Sequence, residues 1–211
     1  MDTTGLPTEA QAKAIEETAK FGQIAVTEGA DLARFIGRIL GTIPEDAVGL
    51  VLGDPLRLVR TVIAAQYDVL LDAILKRRNV SKTEPVSPSV AIPLLQAAYD
   101  ENRPELQELW AELIATALDP ARSKNLRLSF VSSLKQLDPL DALVLRWVNG
   151  KGGGAATVTV RNGIMREFDL SSDEVAVSFE NLSKAGFLGK VTASESAMSA
   201  FGREFIRVVS D

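Results

Sequence analysis

The chain has 211 residues, enough for one large domain or two small ones, and 46% of them are hydrophobic, so it can bury a core. It contains neither cysteine nor histidine. That removes disulfides, thiolate and imidazole metal sites, and Ser-His-Asp or Cys-His catalysis; an enzyme would have to work with Asp, Glu, Lys, Ser, Thr or Tyr. The net charge of −5 disfavours broad nucleic-acid binding.

The charge is unevenly spread. Residues 1–53 carry 4 basic and 8 acidic side chains, whereas 54–84 carry 6 basic and 4 acidic ones. Met1–Gly5 lacks a basic region followed by an apolar run, so no signal peptide is expected. No stretch approaches the roughly 20 apolar residues of a membrane span. The expectation is a cytoplasmic protein.

Residues 8–40 read as helix, with Ala, Glu, Lys and Gln giving high propensity up to about Lys20. The texture then turns apolar and glycine-rich. Gly37 and Gly41, and again Gly49 and Gly53, match the spacing that lets helices approach closely. With Phe35 they are candidates for self- or membrane association through residues 21–53. Arg38, Glu45 and Asp46 interrupt the apolar run, so tight packing in a bundle is the plainer reading, with peripheral membrane contact left open.

Asp54-Pro55 is a cap followed by proline at the first helical position. A helix is expected to about Arg78, with Leu56, Val59, Ile63, Tyr67, Leu70 and Ile74 facing inward. Lys76-Arg77-Arg78 suits the negative end of its dipole. Arg57, Arg60, Lys76, Arg77, Arg78, Lys184 and Lys190 are the candidate interaction surface for an acidic partner or phosphate.

Ser81–Pro88 reads as a linker, and a helix follows to about Asp100 that Pro93 either starts or kinks. The clearest helix runs from Pro104. Leu106, Leu109, Trp110, Leu113, Ile114, Ala117 and Leu118 form one broad apolar face. Pro104 suits the first position, and Asp119-Pro120 ends the helix because a residue before proline avoids the helical region. The opposite face holds Glu105, Glu108, Glu112 and Thr116, with no basic or metal-binding partner in sequence range. Asp100, Glu101 and Asp119 carry the oxygens a hard cation wants, but carboxylates at helix ends are ordinarily solvated caps.

A shorter helix presents Phe130, Val131, Leu134 and Leu137, and Asp138-Pro139 opens another over Leu140–Asn149. Gly150–Gly154 lacks the order of a phosphate loop and follows a helix, so it reads as a connection. Next come a helix from about Thr159 to Phe168, and a capping box, Ser171 with Glu174, opening a helix that turns Val175, Phe179 and Leu182 inward and stops at Gly186. A strand over Phe187–Val191, a return near Ala197-Met198 and a final helix capped by Ser199 complete a winged-helix plan. Its third helix offers Asp173, Glu174 and Glu180 against a single Lys184, which suits protein contacts better than DNA.

Gly53-Asp54-Pro55-Leu56-Arg57, Pro93–Ala98, Glu105–Leu113 with Asp119-Pro120, and Phe130 through Lys135–Ala142 occur in this order. Together with Asn181-Leu182, Gly186–Leu188 and Phe201–Phe205, they resemble the abortive infection alpha family from roughly Gly53 onward. The resemblance implies a role in bacterial defence against phage and supplies no catalytic residues.

The expected fold is mainly α: a glycine-rich helical segment (1–53), a helical bundle (54–137) and a winged-helix-like domain with a short β-hairpin (138–211). The expected function is a non-enzymatic defence protein acting through protein contacts or self-association. No catalytic residue, cofactor or metal is assigned. A nucleic-acid-binding winged-helix regulator and a membrane-active effector are the alternatives.

Overall fold

A computed structural model describes residues 34–41, 57–150, 157–189 and 198–210, without the side chains of 57–61 and 157–159. The chain divides into two compact units, 1–66 and 67–211. In the first, residues 34–40 are helical with Phe35 and Ile39 buried. Gly41 stops that helix: its φ is +76°, and its N–H donates to the Gly37 carbonyl at 2.8 Å. The Gly37/Gly41 pair therefore has a local use, since the left-handed conformation favours glycine at the second position.

Helix α1 (Arg57–Arg77) runs from the first unit into the second. It is followed by α2 (Pro88–Tyr99), α3 (Pro104–Leu118), a 3-10 turn (Ser123–Asn125), α4 (Leu128–Leu134) and α5 (Pro139–Gly150). Then come α6 (Thr157–Phe168), α7 (Ser172–Lys184) and α8 (Ala200–Val209). Local chemistry sets many of the ends. Pro88, Pro104 and Pro139 each occupy a first helical position, where the missing N–H has no partner to lose. Asp119, held extended before Pro120, ends α3. Ser171 and Glu174 form the full capping box of α7, and the Ser199 hydroxyl accepts from the Gly202 N–H at the start of α8.

Among the described residues, three more helices end in a left-handed turn. After α1, Val80 donates to Leu75 and Asn79 to Lys76, with Asn79 at φ 55°. Asp169 (φ 51°) does the same for α6, where Leu170 donates to Met165, and Gly186 (φ +89°) for α7, where Phe187 donates to Leu182. Asn and Asp tolerate this conformation better than other side chains. The turn after α1 has a consequence for the site. It places Arg78 just before the left-handed residue, one position beyond the exposed Lys76 and Arg77.

α3 is the centre of the second unit. It packs against α2, α5, α8 and the 3-10 turn; α2 also contacts α4, and α5 carries α6 and α7. Of its 15 residues only Pro104, Glu105 and Glu108 escape full burial. Trp110 is buried as expected, but burial is not confined to the apolar face: Gln107, Glu112 and Thr116 are inside too. On α1 the inward positions are Ile63, Ala64, Tyr67, Leu71, Ile74 and Leu75; Leu70 is only half-buried, one step off the expected stripe. Pro93 lies within α2 and does not start it.

The mainly helical expectation holds. The expected β-hairpin is not seen: among the described residues there is no strand, only one isolated antiparallel bridge between Leu188 and Met198. Residues 190–197, where its tip would fall, lie outside the described set. The winged-helix assignment loses its distinguishing part, since a wing needs a paired ribbon. In its place an aromatic cluster joins α4 to α8. Phe130 lies 5.0 Å from Phe201 and 5.6 Å from Phe205, and Phe187 lies 5.5 Å and 4.8 Å from the same rings, all tilted or edge-on.

Candidate functional site

Glu112 and Thr116 of α3 find their shared partner upstream, in Arg78. Arg78, with 2% of its side chain exposed, donates from Nη2 to Glu112 Oε2 at 2.5 Å and from Nη1 to the Thr116 hydroxyl at 2.9 Å. The same Nη2 reaches the Val208 carbonyl at 3.2 Å. Thr116 passes the bond on, donating to Val208 O at 2.7 Å. Arg122 donates to the carbonyls of Arg207 at 3.1 Å and Ser210 at 2.6 Å. Carbonyls at the end of α8, which lack helical partners, are thus held by two guanidinium groups and a hydroxyl. Glu112 also accepts from Arg77 Nη2 at 2.5 Å.

Beside this clamp lies a cleft of about 340 Å³, with Leu109, Ile206 and Val209 among its apolar walls and Arg77, Glu108 and Arg146 among its charged ones. Arg146 on α5 donates to Glu108 at 2.6 Å. Asn149, one turn further along α5, and Ser210 complete the polar lining.

A second polar cluster sits where α2 turns into α3. Glu101 accepts from the Arg103 backbone N–H at 2.9 Å, and from Nε and Nη2 at 2.8 Å each. Arg103 also bonds Asp138 at 3.1 Å, which ties the α2–α3 turn to the cap of α5. Burial of Glu101 opposes its ionisation, but the Arg103 bonds outweigh it and hold the carboxyl below the usual range. Arg103 is correspondingly raised, first by its bond to Glu101. Tyr67, donating to the Ala98 carbonyl at 3.1 Å, is pushed up by burial and then by the negative charge of Glu101. Asp141, also buried, accepts from the Asp138 N–H at 3.0 Å.

Of the candidate interaction residues, the side chains described are those of Lys76, Arg77, Arg78 and Lys184. Arg77 and Arg78 meet at Glu112, but Arg78 faces inward. Lys76 is exposed at the end of α1, and Arg57 and Arg60 lie on its first turns with side chains outside the described set. Lys184 is exposed on α7, paired with Glu180 at 3.0 Å. Lys190, Gly49 and Gly53 lie outside the described residues. Of the carboxylates weighed as cation ligands, Glu101 is taken by Arg103 and Asp119 accepts from the Ala121 N–H at 2.9 Å. Among the described residues no group of three such side chains could hold a metal.

Arg122, Arg146 and Asn149 are site residues that pattern reading passes over, and it finds Glu112 and Thr116 only as a polar face without a partner in sequence range. The one signal was Glu112 and Thr116 at i and i+4 on a helix otherwise rich in Leu and Ala.

A sequence model described as abortive infection alpha matches residues 62–196. The chain belongs to the abortive infection alpha family. The matched segment contains Arg77, Arg78, Glu112, Thr116, Arg122 and Arg146, and stops short of α8, whose carbonyls the arginines hold. It begins nine residues later than the resemblance read from Gly53. No curated protein and no solved structure matches the chain.

Proposed function

We propose that this abortive infection alpha protein acts in defence against phage without catalysing a reaction, through contacts with a protein partner or with further copies of itself, in the cytoplasm. Family membership over residues 62–196 carries the defence role. The non-enzymatic part is supported by how the polar residues are employed. Arg78, Thr116 and Arg122 hold helix ends, and Glu101 and Arg103 close a turn. The test is phage challenge of cells expressing the protein alone and with its genomic neighbours. Lower plaque counts are expected, together with a particle larger than a monomer by light scattering or a co-purifying partner. Unchanged plaque counts in several hosts would sink the defence reading; protection by a strictly monomeric, partner-free protein would sink the contact reading.

The winged-helix regulator is less favoured. The helix that would enter the groove carries Asp173, Glu174 and Glu180, and its Lys184 already pairs with Glu180. Retention on DNA at low salt, lost at high salt, would revive it. The membrane-active alternative relies on residues 21–53, of which only 34–41 are described, and no described helix is long and apolar enough to cross a membrane. Co-sedimentation with liposomes that disappears on deleting 21–53 would favour it.

A further inference from the structure

We infer that the cleft between α3, α5 and the end of α8 binds a small phosphate-bearing organic molecule. The inference does not rest on the defence reading.

Its first support is a set of donors held without internal use. Arg146 spends one nitrogen on Glu108, and its Nε and Nη2 make no other hydrogen bond among the described residues. Asn149 follows at i+3 on the same face of α5, and neither its side-chain amide nor the Ser210 hydroxyl is hydrogen-bonded among the described residues. Guanidinium, amide and hydroxyl donors lining one concavity are the complement of an oxyanion. From the end of α1, Arg77, which is bonded to Glu112, presents a second guanidinium, 51% exposed.

The second support is charge. Glu112 is shared by Arg77 and the buried Arg78, so that wall does not confront an anion with an unbalanced carboxylate. The remaining acid, Glu108, is 53% exposed and paired with Arg146, itself 42% exposed. Such a pair contributes little and opens readily. An incoming anion can take Arg146 over while Glu108 swings into water.

Size and lining complete the case. A volume of about 340 Å³ lies at the lower end of the range for small-molecule sites. Leu109, Ile206 and Val209 offer apolar surface for a ring or alkyl part. A tetrahedral phosphate presents three terminal oxygens in different directions, which suits donors arriving from different helices; a planar carboxylate presents two in one plane.

The test is titration calorimetry on the full chain with AMP, inorganic phosphate and succinate. Saturable binding of AMP is expected, with phosphate at least ten-fold weaker and succinate giving none. Arg146→Ala should weaken AMP at least ten-fold. Asn149→Asp, which keeps the shape and adds a negative charge, should also weaken it. Glu108→Gln should tighten it several-fold by freeing Arg146. All three positions are exposed, so the variants should melt with the parent. No saturable heat from AMP, equal affinity for succinate, an unchanged affinity in Arg146→Ala, or weaker binding in Glu108→Gln would each overturn the inference. A cleft that takes inorganic phosphate but not AMP holds a free anion only, and overturns it as well.

Discussion

Two regions of the second unit use the same two devices, an ion pair and a glycine pressed against a neighbour, in opposite surroundings. Around α8, the ion pair is Arg78–Glu112, with side chains 2% and 10% exposed. On α7 it is Lys184–Glu180, with 68% and 66% exposed. The glycine of α8, Gly202, abuts backbone: a Cβ there would lie 2.0 Å from the Phe187 carbonyl oxygen. The glycine of α6, Gly163, abuts a side chain: its Cβ would lie 2.5 Å from the Trp147 ring. What differs is the freedom of the surroundings to adjust. Water can replace an exposed partner and a ring can rotate, but a buried carboxylate cannot be rehydrated, and the Phe187 carbonyl, which accepts from the Ser199 N–H at 3.0 Å, is backbone and cannot step aside.

The largest effect should come from Arg78→Ala, which removes the buried partner of Glu112, leaves it to the half-exposed Arg77, and releases the end of α8. Removing one member of a buried pair costs about 3–5 kcal/mol. For a chain of this size that is a fall of roughly 6–20 °C in melting temperature, at about 2–4 °C per kcal/mol. The double change Arg78→Met with Glu112→Leu should recover part of the loss, because an apolar pair pays no desolvation. A single-variant loss no greater than that of Lys184→Ala would break the comparison.

Gly202→Ala should follow, at roughly 3 kcal/mol, the upper end of what overpacking costs. Denaturant unfolding should show a lower midpoint, with the loss concentrated in amide protection of α8. Gly163→Ala should cost about 1–2 kcal/mol. Trp147 is half-buried and can shift, although its indole N–H is tied to Glu167 at 2.6 Å. A change in tryptophan emission at near-normal stability would mark that adjustment, and a loss as large as at Gly202 would contradict it.

Glu101–Arg103 is the intermediate case: a buried carboxylate with a partly exposed guanidinium. Because Glu101 titrates below its unfolded value, its contribution is fully present above that value, about pH 4.3, and is lost as pH falls through the lower folded one. Arg103→Ala should therefore flatten the acid limb of the stability–pH curve. At neutral pH it should cost about 1–1.5 kcal/mol, the worth of a hydrogen bond to a charged group after screening. An acid limb as steep as the parent's would remove this pair as its cause. The smallest effect is Lys184→Ala, at most about 0.5 kcal/mol and fading with added salt, as measured by thermal melts.

Much of the helix plan was legible in the residues. The α3 boundaries follow from Pro104 and Asp119-Pro120, the start of α7 from Ser171 and Glu174, and its end from Gly186. Family membership was legible too, from ordered fragments spread along the chain. The hairpin expected from the strand-like pattern of Phe187–Val191 is not supported among the described residues, because a ribbon needs a paired partner that pattern alone does not guarantee. The described residues supply a single bridge.

What the sequence determined by itself is the set of local decisions: where helices start and stop, which stripe is apolar, and which chemistries the missing histidine and cysteine remove. These depend on neighbours within a turn or two, so a linear reading reaches them. Only the tertiary structure decided that Glu112 and Thr116 on the polar side of α3 are inside, that Arg78 serves Glu112 and the end of α8, and that Arg146, Asn149 and Ser210 share one cleft. Arg78 and Glu112 are 34 residues apart and Thr116 and Val208 are 92 apart. Whether a carboxylate is solvated or buried beside a guanidinium depends on what packs over it, and at such separations that is a property of the fold.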